Sequence, residues 1–180
     1  MKREFHHSAA LLAVIALFSL GASSVSYAQS QERRSFFWLN LGVGGTGFGG
    51  AYGLGLTSQF GLHLFSFHGA TAYNVESSEV GTEFSVLYGI GRRGEKGAFS
   101  IAVGAGRVEG NRHHGDYLYD FEPVLGFSAE TQVFGRIGKN AGMGLSVLLN
   151  LNKEKNLPVI LLCVQFGRLW RKSDEHEIRK

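Results

Sequence analysis

From residue 36 onwards, polar and apolar side chains alternate with a period of two, in segments of roughly ten residues separated by turn residues. This alternation places one set of side chains on each face of an extended strand. Apolar residues at helical spacing are hard to find, and no stretch after Ala28 is apolar for long enough to span a membrane as a helix. The pattern therefore predicts an all-β chain.

Eight alternating segments follow one another along the chain. Their predicted ranges are 36–45, 51–56, 62–69, 83–90, 99–106, 127–133, 142–152 and 160–167. Long polar stretches, 71–78 and 110–122, follow the third and fifth segments. The connections after the second, fourth and sixth are short, with a tight turn at 58–61 and a charged, solvated turn at 92–97. An even number of strands, with short turns at one end and long loops at the other, is typical of bacterial outer-membrane barrels.

We therefore predict a single eight-stranded antiparallel up-and-down transmembrane β-barrel whose large apolar side chains face lipid. A closed barrel pairs every backbone N–H and C=O group within the protein, as a membrane-spanning structure must. Eight strands leave room inside for side chains rather than for a wide channel. The 26 glycines fit this prediction, because small residues permit close packing in a narrow barrel.

The face opposite the apolar one is predicted to line the barrel interior. Its candidate polar residues are Asn40, Glu83, Glu130, Gln132 and Asn150, with Arg107 as a candidate cation beside them. An unpaired buried charge costs several kcal/mol, so we expect these groups to form an internal network.

Aromatic residues near the predicted strand ends are candidates for the interfacial girdles of a membrane barrel. They are Trp38, Tyr52, Tyr88, Phe134 and Trp170. In the third segment, whose phase is the least distinct, Ser66 and His68 are predicted on one face and His63 on the other.

The first residues have the features of a secretory signal peptide. An apolar run over residues 11–18 follows a basic start, and small residues at Ser26 and Ala28 precede the expected cleavage site. The run is shorter than the roughly 20 residues of a spanning helix. The predicted division of the chain is a signal peptide, 1–28, an outer-membrane barrel, 29–170, and a charged C-terminal tail, 171–180.

Composition excludes several other classes of protein. Cys163 is the single cysteine, which excludes a disulfide framework and predicts a small inward-facing residue. The net charge of +3, without a supporting motif, does not favour nucleic-acid binding. His113, His114 and Asp116 are predicted to lie in a solvated loop and not at a metal, because adjacent residues of an extended segment point to opposite sides. No metal or cofactor is expected.

Several short stretches resemble small outer-membrane β-barrel proteins of the Bacteroidetes. The closing stretches LNLNKEK and VQFGRL, at 149–155 and 164–169, are similar to the end of such barrels, as are QFG, LYG and GAGRVEG at 59–61, 87–89 and 104–110 to other parts. The resemblance implies this fold and location, and the family carries no assigned activity. Many barrels end on an aromatic residue that the assembly machinery reads; here Phe166 or Trp170 precedes a charged tail.

The main functional prediction is a non-enzymatic barrel with a structural role or a surface-contact role through its outward loops. Tyr117 and Tyr119, in the longest predicted loop, are the candidate contact residues. The expected partners are outer-membrane lipid and lipopolysaccharide, and the barrel-assembly machinery during insertion. We expect a monomer.

Two alternatives follow from the same residues. One is a lipid-modifying barrel enzyme, a hydrolase or acyltransferase, with Ser66 as nucleophile, His63 or His68 as base and Glu83 as the orienting carboxylate. The other is a soluble, lipocalin-like periplasmic barrel with a ligand in its core, which predicts an apolar interior and a polar exterior. The polar face of the seventh segment is mostly Gly, Ser and Asn, which suits a tight interior better than a solvated surface.

Overall fold

The computed structural model describes residues 35–47, 49–114, 117–154 and 156–169. The predicted signal peptide, the charged tail and Trp170 lie outside the described residues. In the part of the chain that is described, no helix is long and apolar enough to cross a membrane.

The chain folds into a closed barrel of eight antiparallel strands, as predicted. The strands are β1 Ser35–Thr46, β2 Gly49–Phe60, β3 His63–Tyr73, β4 Val80–Arg93, β5 Gly97–His114, β6 Tyr117–Arg136, β7 Ala141–Leu151 and β8 Leu157–Arg168. Each strand pairs with the next along the chain, and β8 pairs with β1. We call the end that holds the short turns 61–62, 94–96 and 137–140 the turn end, and the opposite end the hairpin end.

The strands are strongly staggered around the barrel. One row of paired residues begins at Arg136 on β6, passes through Asn40 on β1, and returns to β6 at Gly126, ten residues nearer the hairpin end. For eight strands, this stagger tilts the strands by roughly 40° from the barrel axis. Every row of neighbouring residues therefore climbs towards the hairpin end as it passes from β7 through β8 and β1 to β5.

Several strands extend beyond their predicted ends. Ser58, Gln59 and Phe60 pair with β1 and β3 and do not form the predicted turn. Arg92 and Arg93 belong to β4, so the solvated turn predicted for 92–97 is restricted to its later residues. Strands β5 and β6 reach into the polar stretch 110–122, where a hairpin replaces the predicted loop. The ladder continues wherever a neighbouring strand supplies backbone partners, whatever the polarity of the side chains.

The outward face of the barrel is apolar on all eight strands. Exposed apolar side chains of this face include Phe37, Leu54, Phe67, Val86, Val103, Phe127, Leu145 and Leu162. On β7 the outward residues run from Met143 to Leu151, eight residue steps that rise roughly 20 Å along the barrel axis at this tilt. The barrel thus carries a continuous apolar belt.

The inward face is largely polar, and on β7 and β8 it also carries apolar residues towards the hairpin end. Leu148, Leu157, Val159 and Leu161 are fully buried at that end. The predicted faces of the third segment are those of β3, because Ser66 and His68 are buried whereas His63 is exposed. Cys163 is buried and inward-facing, with a free thiol.

Three predicted side-chain positions are wrong. Arg107 lies on the outward face of β5, where it pairs with Glu109, and takes no part in the interior network. Trp38 and Phe134 are buried inside the barrel and do not belong to an interfacial girdle. In each case the residue follows the alternation of its own strand, which decides its face because successive side chains of a strand point to opposite sides.

Candidate functional site

The interior polar residues form separate clusters at different heights. Glu83 on β4 is fully buried, and its Oε1 accepts hydrogen bonds from Ser128 Oγ on β6 and from Asn150 Nδ2 on β7, the latter at 3.1 Å. The Asn150 amide also donates to Ser128 Oγ at 2.8 Å. This cluster links β4 to β6 and β7, neither of which is a neighbour of β4 in the sheet, so it crosses the lumen of the barrel.

Glycine makes room for this cluster. A Cβ atom at Gly106 on β5 would lie 2.6 Å from Glu83 Oε1 and 2.6 Å from Asn150 Nδ2, and closer still to Ser128 Oγ. Real Cβ atoms do not approach polar atoms so closely, and these side chains are held by their mutual hydrogen bonds. Any residue larger than glycine at this position must displace the cluster.

A second cluster lies around Glu130 on β6. Ser146 Oγ donates to Glu130 Oε1 at 2.7 Å, and His68 Nε2 lies 3.7 Å from the same oxygen. Gln165 Nε2 donates to Gln132 Oε1 at 3.3 Å. The side-chain amide of Asn40 is buried without a hydrogen-bond partner among the described residues. The five residues predicted for the interior therefore all lie inside the barrel, but they do not form one network: Glu83 and Asn150 share a cluster, and Asn40 belongs to none.

The candidate catalytic residues do not come together. Ser66 Oγ is hydrogen-bonded to Thr57 Oγ1 at 2.9 Å, and His68 contacts Glu130. His63 faces outward, with Nδ1 2.7 Å from the Tyr88 hydroxyl. A nucleophile needs its base within hydrogen-bond reach and a third group that orients the base. The described contacts supply neither to Ser66.

A cluster of Arg93, Trp38 and Gln59 fills the barrel interior at the turn end, and the sequence alone did not predict it. We call this cluster the plug. The Arg93 guanidinium lies 3.6 Å from the centre of the Trp38 ring. Its Nε donates to Gln59 Oε1 at 3.2 Å, and Nη1 donates to the Leu169 carbonyl oxygen at 3.3 Å. Gln59 Nε2 donates in turn to the Gly91 carbonyl oxygen at 2.8 Å. The alternation gives the signal that places Arg93 inside, because it shares its phase with Leu87 on β4.

The β5–β6 hairpin is the longest element at the hairpin end. Arg112 on β5 donates to the Tyr119 hydroxyl on β6, its guanidinium lies 5.4 Å from the Tyr119 ring, and it forms a salt bridge of 3.1 Å with Glu154 of the β7–β8 connection. The Tyr119 side chain is thereby bound to Arg112 within the hairpin, whereas Tyr117 is 80% exposed. Of the two predicted contact residues, Tyr117 is the more exposed, whereas Tyr119 is partly buried.

The described residues contain no group of three or more His, Cys, Asp or Glu side chains arranged to hold a metal. Asp116 lies outside the described residues, and the side chains of His113 and His114 are not described either. The loop position predicted for these histidines is wrong, since both belong to β5.

Solved structures similar to this barrel include an outer-membrane protein, Ail. The barrel is similar to the N-terminal β-barrel domain of Pseudomonas aeruginosa OprF, with a TM-score of 0.58 and 14% identity over 76% of this chain and 99% of that one. It is also similar to Ail, the attachment invasion locus protein of Yersinia pestis. The crystal structure gives a TM-score of 0.50 at 14% identity, over 74% of this chain and 95% of that chain.

The structure of Ail in a phospholipid bilayer nanodisc gives a TM-score of 0.51 at 11% identity, over 74% of this chain and 99% of that chain. No family model matches the sequence, and no curated protein matches it either. At these identities the similarity establishes the eight-stranded barrel fold alone.

Proposed function

We propose that the mature chain is a non-enzymatic integral barrel of the bacterial outer membrane whose role lies in surface contacts made by its β5–β6 hairpin. The observation that carries this proposal is the distribution of side chains. Large apolar residues such as Phe67 and Leu54 are more than half exposed on the outside, while Glu83 and Glu130 are buried inside. A soluble lipocalin-like barrel requires the opposite arrangement.

The apolar belt supports a membrane location on energetic grounds. Monomeric soluble proteins rarely expose contiguous apolar patches larger than a few hundred Å². Here the exposed apolar residues encircle the barrel over a height of roughly 20 Å, close to the apolar band of about 25 Å in outer-membrane barrels. Lipid removes this surface from water, and the closed ladder leaves no backbone edge exposed within the belt.

The orientation follows from the connections. Both described ends of the chain, Ser35 and Leu169, and the three short turns lie at the turn end. In outer-membrane barrels the short turns face the periplasm and the long connections face outward. The β5–β6 hairpin then projects from the cell, with Tyr117 as its most exposed aromatic side chain.

The route to the membrane belongs to the same proposal. Residues 1–28 direct export and are removed, lipopolysaccharide and other outer-membrane lipids surround the belt, and the barrel acts as a monomer. Phe166, which is exposed near the end of β8, serves as the aromatic residue that the assembly machinery reads. The motifs at 149–155 and 164–169 support a barrel of the Bacteroidetes type.

Gel mobility of the refolded mature chain in detergent tests the membrane barrel. A closed, detergent-embedded barrel migrates differently before and after boiling and has a β-type circular dichroism spectrum. A chain that remains soluble without detergent and shows no such shift contradicts the proposal.

Labelling of intact cells tests the orientation. A Tyr117→Cys variant is expected to react with a membrane-impermeant maleimide, whereas Glu95→Cys, in the turn between β4 and β5, reacts only after the outer membrane is permeabilised. The background is low because Cys163 is buried. Labelling of Glu95→Cys on intact cells, with Tyr117→Cys protected, reverses the orientation and removes the hairpin from the surface.

A further inference from the structure

A long furrow crosses the outer face of the barrel from β7 to β4, with a volume of about 670 Å³. Its floor is the backbone of small inward-facing residues, Gly42, Gly53 and Ala70, which pair with one another across β1, β2 and β3. Its two walls are adjacent rows of outward side chains. The row nearer the turn end is Met143, Val164, Leu41, Leu54, Gly69 and Phe84.

The other wall becomes polar towards β4. It begins with Leu162, Val43 and Tyr52 and ends with Thr71 and Thr82, whose hydroxyl oxygens lie 3.2 Å apart. The furrow crosses six strands, so it is roughly 24 Å long at the usual spacing of about 4.8 Å between strands. It is therefore a long, narrow, almost wholly apolar depression with hydroxyl groups at one end.

The furrow is inclined, and its upper end lies at a salt bridge. Each row of neighbouring residues climbs towards the hairpin end, so the furrow makes an angle of roughly 40° with the membrane plane. Its β4 end lies nearer the hairpin end of the barrel than its β7 end does. Phe84 and Thr82, at the upper end, pair with Arg107 and Glu109 on β5. Arg107 Nη2 lies 3.0 Å from Glu109 Oε2, so this ion pair spans the two walls where the furrow ends.

We propose that this furrow binds an acyl chain of a phosphate-bearing lipid of the leaflet at the hairpin end, with the headgroup phosphate on Arg107. The inference rests on the membrane location proposed above. The apolar walls between Met143 and Phe84 hold the chain, and the Thr71 and Thr82 hydroxyls lie where a lipid changes from hydrocarbon to polar headgroup.

Arg107 is suited to the phosphate by charge and by geometry. A guanidinium carries five N–H donors in a fork that matches phosphate oxygens, and Glu109 occupies a single nitrogen, Nη2. More than half of the Arg107 side chain is exposed, and Arg107 is the cross-strand partner of Phe84, the last residue of the wall nearer the turn end. A cation at such a position is stabilised by an anion that reaches it from the lipid side.

Unfolding of the refolded barrel in lipid vesicles tests the inference. The unfolding midpoint is measured by heat-dependent gel mobility in phosphatidylcholine alone and in phosphatidylcholine with phosphatidic acid. We expect phosphatidic acid to raise the midpoint by about 5 °C, as a ligand specific for the folded state does. Inorganic phosphate at the same concentration is expected to have no effect, because it lacks the acyl chain.

Three variants locate the effect. Arg107→Gln and Gly69→Leu are expected to lose most of the shift, because the first removes the cation and the second places a side chain in the furrow. A Cβ atom at Gly69 meets Phe84 at 3.4 Å, an ordinary contact, so this substitution is compatible with folding. Glu109→Gln is expected to increase the shift, because it removes the carboxylate that competes with phosphate.

Matched controls separate this site from general electrostatics. Arg92→Gln removes an exposed arginine at the other end of β4. Ala129→Leu enlarges a side chain on the outward face of β6, whose partners Val103 and Leu149 do not line the furrow. Both controls are expected to retain the full shift. Equal midpoints in the two lipid mixtures, or an equal loss in Arg92→Gln and Arg107→Gln, overturn the lipid site. A normal mobility shift in phosphatidylcholine shows in the same experiment that the membrane barrel itself has formed.

Discussion

At the scale of single residues, the face of a side chain is decided by the parity of its position in the strand and not by its chemistry. Arg107 is outward and Trp38 is inward, although polarity alone suggested the reverse. Both obey the alternation of their neighbours, since Arg107 has the phase of Val103, and Trp38 has that of Asn40. The strand pleat therefore forces a cation to the outer face and an indole into the lumen.

Gly106 is the position where a single added methyl group would disturb the buried Glu83 cluster. In Gly106→Ala, the new Cβ must displace the hydrogen-bonded side chains of Glu83, Ser128 and Asn150. We expect a loss of about 1–3 kcal/mol in the free energy of unfolding, as for other overpacked interiors. Urea titration of the refolded barrel measures it. In the control Gly135→Ala, the nearest atom is 3.8 Å away, and a comparable loss there contradicts the argument.

The plug at the turn end gives a second residue-scale prediction. Arg93→Met removes the cation over Trp38 and two hydrogen bonds, to Gln59 and to the Leu169 carbonyl oxygen. We expect a loss of about 2 kcal/mol in the free energy of unfolding and a changed Trp38 fluorescence maximum. Arg92→Met, on the exposed face of the same strand, should stay within about 0.5 kcal/mol of the parent. An unchanged spectrum in Arg93→Met argues against the contact.

At the scale of elements, the β5–β6 hairpin differs from the other strand pairs because part of it extends past the belt. β6 pairs with β7 from Phe127 onwards, so the part of β6 from Tyr117 to Gly126 has only β5 as its neighbouring strand. Two-stranded ribbons are marginally stable by themselves. Side-chain contacts from Arg112 to Tyr119 and Glu154 supply the additional support.

Removal of this support should loosen the hairpin and leave the barrel intact. We expect Arg112→Ala to be cleaved faster by protease within residues 111–122, with an unchanged heat-dependent mobility of the remaining barrel. Lys153→Ala removes an exposed charge of the connection that also carries Glu154, and it serves as the control. Equal cleavage of both variants would show that the Arg112 contacts do not hold the hairpin.

At the scale of the whole molecule, the barrel is an inverted version of a soluble protein, with an apolar exterior and charged residues in its lumen. Its surroundings therefore decide how much a substitution on the outer face costs in the free energy of unfolding. Phe67→Arg on the outward face is expected to cost about 2–4 kcal/mol in lipid, because a charge must enter the hydrocarbon. For a barrel in water, the same change removes an exposed apolar ring and costs little.

Reversible folding in vesicles, followed by gel mobility, measures this cost. Val75→Arg is the control, because Val75 lies in the β3–β4 connection at the hairpin end and 81% of its side chain is exposed. It should be neutral within about 0.5 kcal/mol. If Phe67→Arg is as neutral as Val75→Arg, the belt does not lie in lipid.

The sequence by itself determined the number of strands, their order and the face of nearly every side chain. Alternation is a local property, since the pleat of one strand fixes which side each residue takes. Glu83, Glu130 and Asn150 were therefore placed inside without knowledge of their neighbours. Strand ends were less predictable, as Gln59 and Arg93 show, because a ladder extends as far as the adjacent strand does.

The tertiary structure alone decided which residues meet. The stagger of ten residues around the barrel is the sum of eight registers, and each register joins residues that are distant in the sequence. It assigns Glu83 to Ser128 and Asn150, places Ser66 beside Thr57, and brings Arg107 to the upper end of the furrow. A one-strand pattern contains no information about such pairings, because they depend on closure of the whole sheet.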